Sequence, residues 1–199
     1  MLQSRKRPFI SGAAIAVLAV ASLSTAASAD IWVFGANLDG PSESPANASP
    51  GTGVCTVTWD TVAHTMRVQA DFTGLVGTTT ASHIHGPTAT PNTATAGVAT
   101  TTPTFAGFPL GVTSGTYDIT LNMTLASSYN PSFVTANGGT TAGAEAALLS
   151  AMLAERTYLN IHSTAFPGGE IRGFLHLVPT PGTAALLGLG GLAAARRRR

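Results

Sequence analysis

Residues 116–125 alternate without a break. Tyr117, Ile119, Leu121, Met123 and Leu125 take one parity, and Asp118, Thr120, Asn122 and Thr124 take the other. Successive side chains of an extended strand point to opposite faces, so this segment has a dry side and a wet side and reads as a half-buried β-strand. The same period runs through residues 62–72. There Val62, Met66, Val68, Ala70 and Phe72 form the apolar side, and Thr65, Arg67, Gln69 and Asp71 the polar one. His64 shares the apolar parity and reads as a strand-end polar residue. Asp60-Thr61 reads as a tight hairpin connection to residues 53–59, where Cys55, Val57 and Trp59 share a face. Residues 31–38 open the set, followed by a Gly-, Pro-, Ser- and Asn-rich loop over 39–52. A further strand is expected near 96–102. Only residues 141–155 break the pattern, with Ala144, Ala147, Leu148, Ala151 and Met152 at helical spacing. Residues 158–162 and 170–177 read as the last two strands, joined by 163–169. Many short strands with turns between them predict a mainly β protein, an antiparallel β-sandwich with one embedded helix.

The two ends fall outside that pattern. Arg5, Lys6 and Arg7 precede an apolar run from Phe9 to about Ala21, and Ala27-Ser28-Ala29 ahead of Asp30 is an A-x-A cleavage pattern. Residues 1–29 are therefore expected to be a secretory signal peptide, read by Sec-type export machinery and cut between Ala29 and Asp30. At the other end, Pro179-Thr180-Pro181 breaks the chain. Residues 183–195 are then small or apolar, and Arg196, Arg197, Arg198 and Arg199 follow. The apolar stretch is short for a bilayer span, which needs roughly 20 residues, and the arginines would hold their end on the cytoplasmic side. Residues 178–199 resemble the PEP-CTERM sorting signal of bacterial envelope proteins, with Thr180 in place of the usual central Glu. The resemblance implies transient inner-membrane anchoring and recognition by an exosortase-type membrane protease.

Between these ends, residues 30–177 are enough for one domain with a real core. Seven of the ten basic residues lie in the ends, so the domain keeps Arg67, Arg156 and Arg172 against nine acids, a net charge of −6 with His neutral. A nucleic-acid-binding surface is excluded on that balance. Cys55 is the single cysteine, so no intrachain disulfide exists, and its place among Val57 and Trp59 marks a buried thiol.

The chemistry concentrates in Ser82-His83-Ile84-His85-Gly86-Pro87. On a strand, His83 and His85 point to one face, and imidazole is the commonest protein metal ligand. Together with Tyr158-Leu159-Asn160-Ile161-His162-Ser163 and the Phe166-to-Leu175 return containing Gly168-Gly169-Glu170-Ile171-Arg172-Gly173, this stretch resembles the hallmark motifs of the CHRD domain of exported bacterial proteins. The resemblance spans about residues 31–177 and implies an immunoglobulin-like sandwich with no generally assigned activity.

A more distant likeness is to copper/zinc superoxide dismutase, whose pattern would make His83, His85 and His162 copper ligands. The loop from Gly86 to Thr116 has no His, Cys, Asp or Glu, so the second metal of that enzyme has no ligands here. Two readings stay open for the three histidines: one copper or zinc ion, or hydrogen bonds that tie loops across the end of the sandwich. Glu170 and Arg172 share a strand face and read as a surface ion pair or a bracket to a nearby loop. The leading expectation is an exported, non-enzymatic protein of the cell envelope or extracellular matrix. The alternative is a mononuclear metal protein with copper-dependent redox activity.

Overall fold

The computed structural model describes residues 31–179. The expected signal peptide, its cleavage point at Ala29 and Asp30, and the sorting-signal residues Pro181 and Arg196 to Arg199 lie outside the described residues; Pro179 is their last. Among the described residues there are eight strands: β1 (Ile31–Asp39), β2 (Thr52–Asp60), β3 (Thr65–Thr73), β4 (Thr79–His85), β5 (Gly115–Asn122), β6 (Tyr158–Ser163), β7 (Ile171–Phe174) and β8 (His176–Leu177). They form one antiparallel sheet in the order β4-β6-β7-β1-β2-β3-β5, with β8 beside β1. The alternation sets the register. Val57 lies opposite Phe34 and Val68, and Val68 opposite Ile119, so apolar residues stack across four strands. The two wings of the sheet join along β1, which pairs with β7 at Asp39 and Arg172 and with β8 at Phe34–Leu177 and Gly35–His176. Their inner faces bury a single cluster that includes Phe34, Val57, Trp59, Ile84, Ile161 and Ile171. The sheet is thus curled over itself around one core, as a β-sandwich.

Three expectations are corrected. The hairpin after β2 is not a two-residue turn. Residues 61–64 form the connection, Asp60 Oδ1 accepts from the Val62 and Ala63 amides, and His64 takes a left-handed φ of 52°. Val62 is consequently exposed and His64 sits in the turn, pairing with Glu145 across 3.0 Å. Second, residues 96–102 are not a strand. They run along the free edge of β4, where the Thr100 and Thr104 hydroxyls accept from the Ile84 and Ser82 amides, with only isolated bridges at Val98 and Thr100.

Third, the described residues between β5 and β6 hold two α-helices where one was expected. Helix α1 (Pro131–Ala136) precedes α2 (Thr141–Leu153). Asn130 caps α1 by accepting from the Ser132 amide, and Pro131 supplies a preset φ at a position whose N–H has no helical partner. Thr140 caps α2 in the same way, through the Gly143 amide. The face of α2 that carries Ala144, Leu148 and Met152 is fully buried, as its spacing predicts. Among the described residues no helix is long and apolar enough to cross a membrane.

Candidate metal centre

Strand β4 alternates a core side with an outer side. Ser82 and Ile84 are fully buried toward the core, while His83 and His85 project from the opposite face. Strand β6 pairs with β4 so that His83 faces Asn160, His85 faces Tyr158 and Ala81 faces His162. His162 therefore comes diagonally beside His83. The ring centroids lie 4.9 Å apart for His83 and His85, 4.8 Å for His83 and His162, and 5.9 Å for His85 and His162. The three histidines singled out in the sequence are brought together. The other two are not: His64 and His176 are exposed and face Glu145 and Glu155.

The protons on these rings follow from their partners. His85 Nδ1 lies 2.9 Å from the Ala96 carbonyl, and His162 Nδ1 lies 2.9 Å from the Pro167 carbonyl. A carbonyl only accepts, so both Nδ1 atoms carry the proton and each Nε2 is left with a lone pair. His83 bonds to the Pro103 backbone, which offers only a carbonyl, while its Nδ1 has no partner. The lone-pair atoms are thus His83 Nδ1, His85 Nε2 and His162 Nε2. All three are buried without a hydrogen bond. Burial, helped by the neighbouring His162 and His85, pushes His83 down to about 3. Burial takes His85 down to about 4 against the pull of the Ala96 carbonyl, with His162 and Arg172 adding to the shift. His162 is lowered for the same reason, with the Pro167 carbonyl opposing. All three are neutral at pH 7, the state that ligates a metal.

Buried acceptors without donors are costly, on the order of 1–3 kcal/mol each. The loop-tying bonds are present, made by one nitrogen of each ring, and the opposite nitrogens lie close enough together that they could also hold a cation. One ligand atom from each ring lies within 4.8 Å of the others. Metal–imidazole bonds are about 2.0–2.1 Å, so small ring rotations would close the set on one ion. Second-sphere carbonyls that fix tautomer and orientation are the usual companions of metal-binding histidines. The residues fit the group.

The surroundings are residues the sequence reading did not single out as part of a site. The Tyr158 ring lies parallel to His85 at 4.9 Å, and the Arg172 guanidinium lies over the Tyr158 ring at 4.7 Å. Arg172 also donates to the Ser42 and Ala94 carbonyls and lies 3.8 Å from Glu43. Burial pushes the Glu43 carboxyl up to about 7, with the Arg172 charge opposing. Glu43 Oε1 and Asn160 Oδ1 are both buried without partners. The parity of Tyr158, Asn160 and His162 along one strand would have shown the first two, whereas Glu43 sits in a loop with no sequence signal.

The expected exposed Glu170–Arg172 pair is replaced by two buried groups with separate partners. Glu170 accepts from Ser49 Oγ at 2.6 Å and from the Val76 and Gly77 amides. Its role as a bracket to nearby loops holds. Burial alone would raise this carboxyl, but the hydrogen bonds from Ser163, Ser49, Val76 and Gly77 outweigh it and hold it low. Cys55 is buried, and desolvation pushes its thiol up to about 12. A cleft of about 760 Å³ lies by Asn37, Thr52, Asp71 and Thr116 and includes none of the three histidines.

No curated protein and no solved structure matches the chain, so the dismutase likeness rests on the histidine pattern alone. The family profile of the CHRD domain matches residues 34–175, from the first strand through the return strand that carries Arg172. The chain belongs to the CHRD domain family.

Proposed function

We propose that this CHRD-domain protein is exported to the cell envelope or extracellular matrix, sorted by an exosortase-type system, and binds one copper or zinc ion through His83, His85 and His162. The carrying observation is the convergence of three buried imidazole lone pairs whose opposite nitrogens are each tied to a backbone carbonyl. The role is binding rather than turnover: the ligand atoms are closed to solvent, which favours a retained ion over one that must meet substrate. When bound, the ion would supply a link between β4 and β6. The chain's own part is to hold three neutral imidazoles in fixed tautomers and to exclude water from them.

Elemental analysis of the purified full-length protein tests the site. The expected result is about one metal per chain in wild type and none in the His83→Ala, His85→Ala, His162→Ala triple variant. Equal metal in both would remove the proposal. Fractionation of the native host tests export, and protein confined to the cytoplasm would refute it.

A further inference from the structure

The site's electrostatics discriminate between ions of different charge. Its three donors are neutral imidazoles, and among the described residues no carboxylate or thiolate joins the cluster. The facing oxygen of Asn160, buried and unpartnered across from His83, is neutral as well. A fixed cation stands behind the ligands: Arg172 caps Tyr158, which stacks on His85. Glu43, which the structure places 3.8 Å from Arg172, is itself drawn toward its neutral form by burial, so it does not fully cancel the guanidinium.

Two consequences follow from general physics. The cost of moving an ion out of water rises with the square of its charge, so a dication faces roughly four times the penalty of a monocation in the same dry site. Zn(II) bound by three protein ligands normally recovers part of that penalty by keeping a water or hydroxide in an open fourth position. Here the three lone-pair atoms expose almost no surface to solvent, which restricts the access of that water. A three-coordinate arrangement of neutral nitrogens is a stable geometry for a closed-shell monovalent ion.

Resting on the metal-binding reading above, we infer that the site is selective for copper in its cuprous state, Cu(I), over Zn(II) and Cu(II). Tyr158 and Arg172 form a positively capped wall that sets this preference, and the ring face of Tyr158 transmits it to the ligand His85. Neither residue coordinates the ion.

The test is an anaerobic competition on the full-length protein. Cu(I) is buffered by a coloured cuprous chelator, Zn(II) is added in hundredfold excess, and bound metals are counted after desalting. The expected result is one Cu(I) retained per chain, with an X-ray absorption edge typical of three nitrogen neighbours. Displacement of Cu(I) by Zn(II), or tighter binding of Cu(II), would overturn the selectivity while leaving a metal site in place. Stoichiometric binding of neither metal, or equal binding by the triple-alanine variant, would overturn the metal site and the selectivity with it.

The wall is tested by substitution. Arg172→Gln should raise the Zn(II)-to-Cu(I) affinity ratio on the order of tenfold, from removal of one charge at an effective dielectric near 20. Arg172→Lys should leave the ratio close to wild type. An unchanged ratio in folded Arg172→Gln would refute the role of the wall, and if that variant does not fold, the wild-type competition still decides the selectivity.

Discussion

Replacing Glu170 by Gln should destabilise the protein by about 3–5 kcal/mol, although the change removes no volume. Glu170 is fully buried, and its two oxygens accept from Ser49 Oγ, the Val76 and Gly77 amides and Ser163. A glutamine keeps one acceptor oxygen and turns the other into a donor. If the oxygen stays with Ser49 and Val76, the new NH2 faces the Gly77 N–H, and a buried donor loses its acceptor at a cost of about 1–3 kcal/mol. The remaining bonds lose their charge assistance, about 1 kcal/mol apiece, since hydrogen bonds to a charged group contribute roughly 1.5–3 kcal/mol and neutral ones about 0.5–1.5.

Urea denaturation at pH 7 would measure the loss, followed by fluorescence of the fully buried Trp59. Asp118→Asn is the control. Asp118 makes a two-point contact with Arg67, but both are about half exposed, at 48 % each, and solvent screening leaves such a pair little weight in stability. A Glu170→Gln loss as small as that of the control would refute the view that this carboxylate gathers the loops around the return hairpin.

Gly173 lies on β7 against the neighbouring strand β1, and a Cβ built on it would overlap the Asn37 carbonyl oxygen. Gly173→Ala is expected to cost at least about 3 kcal/mol or prevent folding, whereas Gly97→Ala, with open space around it, should stay within about 0.5 kcal/mol by thermal denaturation. The metal-free protein should also weaken in acid. His83 and His85 titrate near 3 and 4 in the folded chain but near 6.5 when unfolded, so protons bind the unfolded chain first and stability falls as pH drops below about 6.5. Glu43, raised to about 7, works in the opposite sense: it favours the folded state below 4.5, and that contribution is lost as pH rises through 7. Glu43→Gln should therefore steepen the acid loss between pH 6.5 and 4.5, and an unchanged slope in denaturant titrations would refute the assignment.

The sequence made some of this legible for clear physical reasons. The period of two in β3 and β5 could be read because one face of each is wet, and register and burial then follow. His83, His85 and His162 could be read because strand parity alone places the first two on one face. What escaped depended on partners distant in the chain. Val62 kept the right parity but lay beyond the strand, because the Asp60 side chain starts the turn by capping two amides. Residues 96–102 had strand-like composition, yet only a few backbone bonds, from Ala99 to Ile84 and from Gly86 to Gly97, reach β4, and the Thr100 hydroxyl takes the Ile84 amide where a continuous ladder would place a carbonyl. The start of α1 did carry a local signal, Asn130-Pro131, in a segment too short for periodicity to reveal. The burial of Glu43, Glu170 and Arg172 is a tertiary property, set by loops folding over the outer face, and no local pattern encodes it.

The pairing of β4 with β6 joins segments that are far apart along the chain. His83 and His162 sit on neighbouring strands but are separated by about 80 residues, so an ion gripping both would close a ring of that length in the unfolded polypeptide. By chain entropy, a permanent cross-link of this size disfavours the unfolded state by about 4.5 kcal/mol. A chain with one cysteine cannot make that link from sulfur. Ligand exchange at imidazole would make it a reversible latch, one that opens with chelator or acid and responds to metal supply where a disulfide would respond to redox state.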